Sequence, residues 1–322
     1  MGANDGDARS GEAFGEGQHG RAEAAINELK RAIAGQDFGS LEEAQAYLDK
    51  ITQQRNQGPV GDFQGLSPEH MYRFMHFPFD SPHFVTFADA PETAPAAPAM
   101  QLLALLIDAI GEKGVKATGK GNLPRNLVRS IGLAYLGEER YREATRFGEI
   151  QRETDALQLH LVRLTAEMAG FIRKYQGKFV VTKKCLSLCS KAGLAALYPP
   201  LFRVFATRMN WAYLGLYEEL PVIQQTFLFT AYLLQCSGDE WRPDTFYEDA
   251  FLTAFPMALD EVQPRDFATP EHIVRSCYRS RAIHRFGVLL GLVETRPIGE
   301  ERLYKYEVRK LPLLEEAVRF TL

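Results

Sequence analysis

Residues 161–188 read LVRLTAEMAGFIRKYQGKFVVTKKCLSL. Leu161, Leu164 and Met168 continue a series begun at Leu157, spaced i, i+4, i+7 and i+11, which places them on one face of a helix. Gly170 ends that helix. Two short extended runs follow, Phe171–Tyr175 and Lys178–Val181, joined by Gln176-Gly177. A two-residue connection containing glycine predicts a tight hairpin. The run KKCLSLCSKAG, residues 183–193, predicts a closing helix.

Upstream, Leu102, Leu103, Leu106, Ile107 and Ile110 predict a helix that stops at Gly111. Residues 114–124 predict a short extended piece. Arg125 to Ala134 predicts a second helix with Leu127, Val128 and Ile131 inward. The charged stretch GEERYREATRFGE, 137–149, separates it from a third helix starting near Glu153. The order is helix, extended segment, helix, helix, hairpin. It resembles a winged helix-turn-helix, on the pieces Ala169-Gly170-Phe171-Ile172-Arg173, Gln176-Gly177 and Val181-Thr182-Lys183-Lys184. Cys185 stands where that family usually carries glycine. The resemblance implies a third helix facing the major groove and a hairpin, the wing, on the backbone or in the adjacent groove.

The C-terminal end echoes this pattern. Thr269-Pro270-Glu271 opens a helix running towards Phe286 and Leu289, with a capping hydroxyl and proline in the first turn. Gly291 to Glu294, a turn at Pro297 and Gly299, and the alternating stretch Arg302 to Val308 follow, with Tyr304, Tyr306 and Val308 on one face. With Leu220–Cys236 and Phe246–Leu259 as its first helices, a second winged-helix unit is expected within 220–318.

The N-terminal third is different. Residues 1–20 are Gly-rich and acidic and predict a disordered tail. Ala25, Ile26, Leu29 and Ile33 predict a helix ended by Gly35. Ser40 caps another, with Ala44, Tyr47, Leu48 and Ile51 as its apolar face, broken at Gly58-Pro59. Ser67-Pro68-Glu69 opens a short third. The stretch DAPETAPAAPA, 89–99, predicts a linker or an extended surface connection. The expected fold is mainly α with short β-hairpins (α+β): a tail (1–20), a helical region (21–88), a linker (89–99), one winged-helix domain (100–194), a connector (195–219) and a second winged-helix domain (220–322). Gly65-Leu66-Ser67-Pro68-Glu69, Lys120-Gly121-Asn122-Leu123-Pro124 and Ala254-Phe255-Pro256 together resemble a family of uncharacterised bacterial proteins. That resemblance implies a shared architecture and brings no activity or site residues.

The 322 residues include 37 Lys plus Arg and 41 Asp plus Glu, a formal charge of −4. The balance is uneven: −8 over 1–97, +7 over 98–194 and −3 over 195–322. The basic middle third is where a polyanion would bind. At 46% hydrophobic and 24% charged, the composition excludes global disorder and collagen-like repeats. Cys185, Cys189, Cys236 and Cys277 are too sparse for a disulfide framework. The most apolar stretch, Leu220–Cys236, is too short and too interrupted by Gln224 and Gln225 to span a bilayer. With no secretory signal at the start, a cytoplasmic protein with reduced thiols and no membrane partner is expected.

If the middle unit binds double-stranded DNA, Lys116, Lys120, Arg125, Arg129, Arg163, Arg173, Lys174, Lys178, Lys183 and Lys184 are the candidates for phosphate contact. Gln158, His160 and Arg163 on the third helix are the candidates for base edges. Arg275, Arg279, Arg281 and Arg285, with His284, form a second basic cluster, which would read a second half-site or receive the acidic N-terminal region. No P-loop, G-x-S-x-G, H-E-x-x-H or Rossmann glycine pattern occurs, so a non-enzymatic protein without cofactor or metal is expected. His70, His76 and His83, near Asp62, Glu69 and Asp80, carry the alternative of a metal-dependent hydrolase. They also suit half-buried polar groups among Phe74, Phe77, Phe79 and Phe84. Cys185 and Cys189, at i and i+4, are core thiols or a redox pair. The expected role is regulatory DNA binding, as a transcription-related or mobile-element protein, with homodimerisation on a palindrome as a corollary. A protein-interaction adaptor built from the same modules is the alternative.

Overall fold

A computed structural model describes residues 30–31, 34, 36–213, 216–299 and 305–322. The tail 1–20, most of the predicted helix through Ala25, Ile26, Leu29 and Ile33, and Tyr304 lie outside the described residues. The chain divides into two compact units, Met1–Gly58 and Pro59–Leu322. The boundary falls inside the expected helical region 21–88, because Gly58-Pro59 ends one helix and starts a separate fold.

In the first unit, helix α1 (Leu41–Gln57) starts where Ser40 accepts a hydrogen bond from the Glu43 N–H. Its apolar face is only half-buried, with Phe38 set against Tyr47 at 5.4 Å between ring centres.

The second unit opens with α2 (Pro68–His76). Ser67 Oγ accepts from the His70 N–H, and His70 Nδ1 accepts from the Ser67 N–H, a reciprocal cap. Strand β1 (Val85–Phe87) then pairs with the last strand of the chain, β8 (Val318–Phe320), with Val85 opposite Phe320.

Next come α3 (Pro98–Ile110), β2 (Val115–Lys116), α4 (Arg125–Ala144), α5 (Leu157–Met168), β3 (Ile172–Tyr175), β4 (Lys178–Val181) and α6 (Lys183–Ala192). The sheet is antiparallel in the order β2-β4-β3. Gln176 and Gly177 both have positive φ, 47° and 73°, as a two-residue hairpin turn demands. Leu103, Leu106, Val128, Ala166, Phe171 and Phe179 form the core beneath it.

After α7 (Tyr198–Thr207) and α8 (Pro221–Gln225) the series repeats: α9 (Phe227–Ser237), β5 (Arg242–Pro243), α10 (Asp244–Ala254), α11 (Pro270–Tyr278), a π-helix (Arg279–Val288), β6 (Val293–Pro297), β7 (Tyr306–Lys310) and α12 (Pro312–Ala317). This sheet has the matching order β5-β7-β6. The fold is mainly helical with small antiparallel sheets, an α+β arrangement.

Four expectations are corrected. Residues 89–99 are no surface linker: Pro91, Ala94, Ala97 and Ala99 are buried, and Ala99 N–H donates to Leu289 O at 2.8 Å. Small side chains here let the backbone press against Gly291, a contact that apolar periodicity does not register. The connector 195–219 contains a buried helix, α7. The charged stretch 137–149 is partly helical: Gly137 (φ 75°, ψ 166°) ends the second helix, and a further helical segment runs from there to Ala144. Leu220–Cys236 is two helices, separated at Thr226.

Gly291 offers a stability test. Its φ is +73°, and a Cβ there would lie 2.7 Å from the Ala97 Cβ. Gly291→Ala is expected to cost about 2–4 kcal/mol from strain plus overpacking, read as a lower urea midpoint at unchanged slope.

Candidate nucleic-acid interface

In an antiparallel sheet, directly opposed residues share a face. Lys116 lies opposite Lys178, and Lys178 opposite Tyr175. Arg173, two residues from Tyr175, is on the same side, while Phe179 and Ile172 point into the core. The outer face of the β2-β4-β3 sheet therefore carries Lys116, Lys178, Arg173 and Tyr175, all exposed. The Arg173 guanidinium sits 5.0 Å from the Tyr175 ring centre. Among the described residues no carboxylate is within ion-pairing distance of Lys116, Arg173 or Lys178. Like charges directly across a ladder are destabilising, so this face holds uncompensated positive charge.

The surrounding cations extend it. Lys120 is exposed in the β2–α4 loop, which presses on Lys174: a Cβ at Gly121 would lie 3.1 Å from Lys174 Nζ. Lys174 is 3.8 Å from Glu167, a weak pair. Lys183 and Lys184 occupy the first turn of α6, where the helix dipole disfavours a cation and favours an anion. Lys184 Nζ donates to Ala169 O at 2.8 Å. Arg125 and Arg129 stand apart, engaged with Gln151 (3.0 Å) and with Ile150 O (2.8 Å) and Glu149 (2.5 Å).

The base-edge assignment fails for two of its three residues. Gln158 is exposed, but His160 and Arg163 are each 2% exposed. The side of α5 that was to face a groove is covered by α7 and by the turn that follows it. The Tyr213 ring stacks on His160, and Arg208 donates to Met168 O at 3.1 Å. Beneath that cover, Glu153 accepts from the Leu123 N–H (2.5 Å) and from Arg163 Nε (2.8 Å), with His160 Nδ1 at 2.6 Å; Arg163 also pairs with Glu167. Burial acts to raise the Glu153 carboxyl; hydrogen bonds from His160 and Leu123 and the Arg163 charge outweigh it, leaving the pKa lowered.

The second basic cluster is no exposed patch either. Arg275 pairs with Asp249 (2.6 Å) and Glu271 (2.8 Å), and Arg279 with Glu248 (2.8 Å) and Asp244 (3.1 Å). Burial raises both the Asp244 and the Glu248 carboxyls, against the Arg279 charge. Arg281 is buried and Arg285 half-buried. On the outer face of β5-β7-β6 the charges cancel across the ladder: Arg296 meets Glu307 at 2.6 Å and Arg309 meets Glu294 at 2.5 Å, both guanidiniums flanking Trp241. Two sheets of the same strand order thus differ in one respect: the first lacks the carboxylates that neutralise the second.

The hydrolase alternative has no geometry behind it. His70 is committed to the α2 cap, the His76 ring packs at a tilt beside Tyr72, and His83 is exposed. Among the described residues no three His, Cys, Asp or Glu side chains are grouped to hold a metal ion. Cys185 is buried, and burial with the neighbouring Cys189 pushes its thiol up to about 12, the opposite of a reactive thiolate. With Ellman's reagent, exposed Cys236 is expected to react in the folded protein, and Cys185 and Cys277 only on unfolding. Among the described residues no helix is long and apolar enough to cross a membrane.

Comparison with known proteins returns no matching family model, no matching curated protein and no matching solved structure.

Proposed function

We propose that this protein is a non-enzymatic regulator that binds double-stranded DNA, built on two winged-helix units, with the first unit gripping phosphates through its wing. The reading rests on one observation: Lys116, Arg173 and Lys178 share an exposed sheet face without a carboxylate, while the equivalent face of the second unit is neutralised. Phosphates relieve that repulsion, and Tyr175 adds a flat, partly apolar surface at the hairpin tip. With α5 covered, contact is chiefly to the backbone, so binding is salt-dependent and weakly sequence-selective. Lysine acetylation with and without a mixed-sequence duplex, read by mass spectrometry, tests the reading. Lys116, Lys120, Lys178 and Lys183 are expected to be protected, and Lys50, on α1, is not. Equal labelling throughout would reject it.

A protein-interaction adaptor is the second reading. It is favoured by the cover over α5 and by the nearly full exposure of Phe147 (89%) and Phe267 (97%). An acidic protein on the same face would protect the same lysines, so failure to bind DNA at low salt with the fold intact turns the account to the adaptor.

A further inference from the structure

A cavity of about 490 Å³ opens between the end of α7, the Arg208–Ala212 turn, α8 and the π-helix. Trp211, Met209, Leu220 and Phe227 supply apolar wall, and the exposed Gln225 also lines the cavity. Arg281 lines the same space although only 1% of it is exposed. Its Nη2 donates to Tyr217 O (3.1 Å) and Glu218 O (2.8 Å), and its Nε–H has no acceptor. Among the described residues no carboxylate is within ion-pairing distance of Arg281. Glu219 also lines the cavity, but it is exposed and accepts from Asn210 Nδ2 at 3.3 Å.

The chain shows elsewhere how it treats such a group. Arg163, equally buried, meets two carboxylates, Glu153 and Glu167. A buried guanidinium without a counter-ion is costly. Arg285, four residues on, adds to the imbalance: its pKa is lowered by burial first and by the Arg281 charge second. Arg281 also sits on a ten-residue π-helix, Arg279–Val288. Such helices are rare beyond a single turn and cluster at functional sites.

We propose that this cavity binds a small carboxylic acid with an apolar ring or chain, the carboxylate on Arg281 and the apolar body against Trp211, Met209 and Phe227. The volume is within the range of small-molecule sites. The proposal stands apart from DNA binding, since it uses none of the sheet-face residues.

Trp211 is one of two tryptophans, so Trp241→Phe leaves it as the sole reporter. In that protein, benzoate and hexanoate are expected to change the fluorescence saturably, with Kd of about 1 mM or tighter, and benzamide to bind at least about tenfold more weakly than benzoate. Arg281→Gln should abolish the preference for acid over amide. Thr207 is exposed and lines the cavity, so Thr207→Trp, followed by calorimetry, should block both acids without disturbing the buried arginine. No saturable response to either acid, benzamide binding as tightly as benzoate, or unchanged binding after Thr207→Trp would each overturn the proposal.

Discussion

Replacing Lys116, Arg173 and Lys178 together with glutamine is expected to weaken duplex DNA binding by about 10²–10³-fold at moderate salt, and to lower the slope of log K against log[salt] by about 3. Each phosphate contact releases roughly one counterion, so three contacts account for both figures. Equilibrium anisotropy with a labelled duplex at several salt concentrations checks them. The fold should not suffer, because these side chains are exposed and Lys116 opposes Lys178 directly. Lys116→Glu alone turns that opposition into an attractive pair and is expected to raise stability by a few tenths to about 1 kcal/mol while weakening DNA binding. A stabilised protein that binds less well is the signature of a face kept positive for a partner. The matched change on the second sheet, Arg296→Gln with Arg309→Gln, should leave DNA binding within about twofold.

Glu153→Ala is expected to destabilise the protein by about 3–5 kcal/mol. The loss leaves Arg163 short of its main partner and strands the Leu123 N–H and His160, all in a buried setting. That figure is the cost of orphaned groups and not the net worth of the network; exchanging Glu153, His160 and Arg163 together for apolar residues should recover much of it. The pH dependence has a definite sign. The folded pKa of Glu153 is lowered, so its stabilisation is complete above the unfolded value of about 4.3 and fades as pH falls through the folded value. The gap between the parent protein and Glu153→Gln in urea unfolding should therefore narrow in acid. A gap that widened below pH ~4 would contradict this.

Local signals carried most of the secondary structure. Ser40, Ser67 and Thr269 cap helices as their sequences predict, and Gln176-Gly177 makes the expected turn. The candidate site was legible only in part. The Gln176-Gly177 turn sets the hairpin register, and that register places Arg173, Tyr175 and Lys178 on one face and Phe179 on the other, because a strand has two faces. A helix gives no such guarantee. His160 and Arg163 lie off the apolar stripe of α5, yet a second layer, α7, covers them, and no pattern within α5 announces it. In the sequence Glu153 marks only the approximate start of the third helix; Arg163, ten residues on, is its partner, and only the three-dimensional packing reveals the pairing. The alanines of 89–99 misled for a related reason: they permit close contact and leave no hydrophobic periodicity.

The central claim is that the outer face of the β2-β4-β3 sheet is a phosphate-binding surface. Titrating the full chain against a mixed-sequence duplex at 50 and 200 mM salt tests it most directly. Binding that weakens by about 10²-fold or more between the two conditions, and that the triple glutamine variant weakens by about 10²–10³-fold, is the predicted result. No binding at the lower salt by a folded protein, or binding that the triple variant retains, would contradict it.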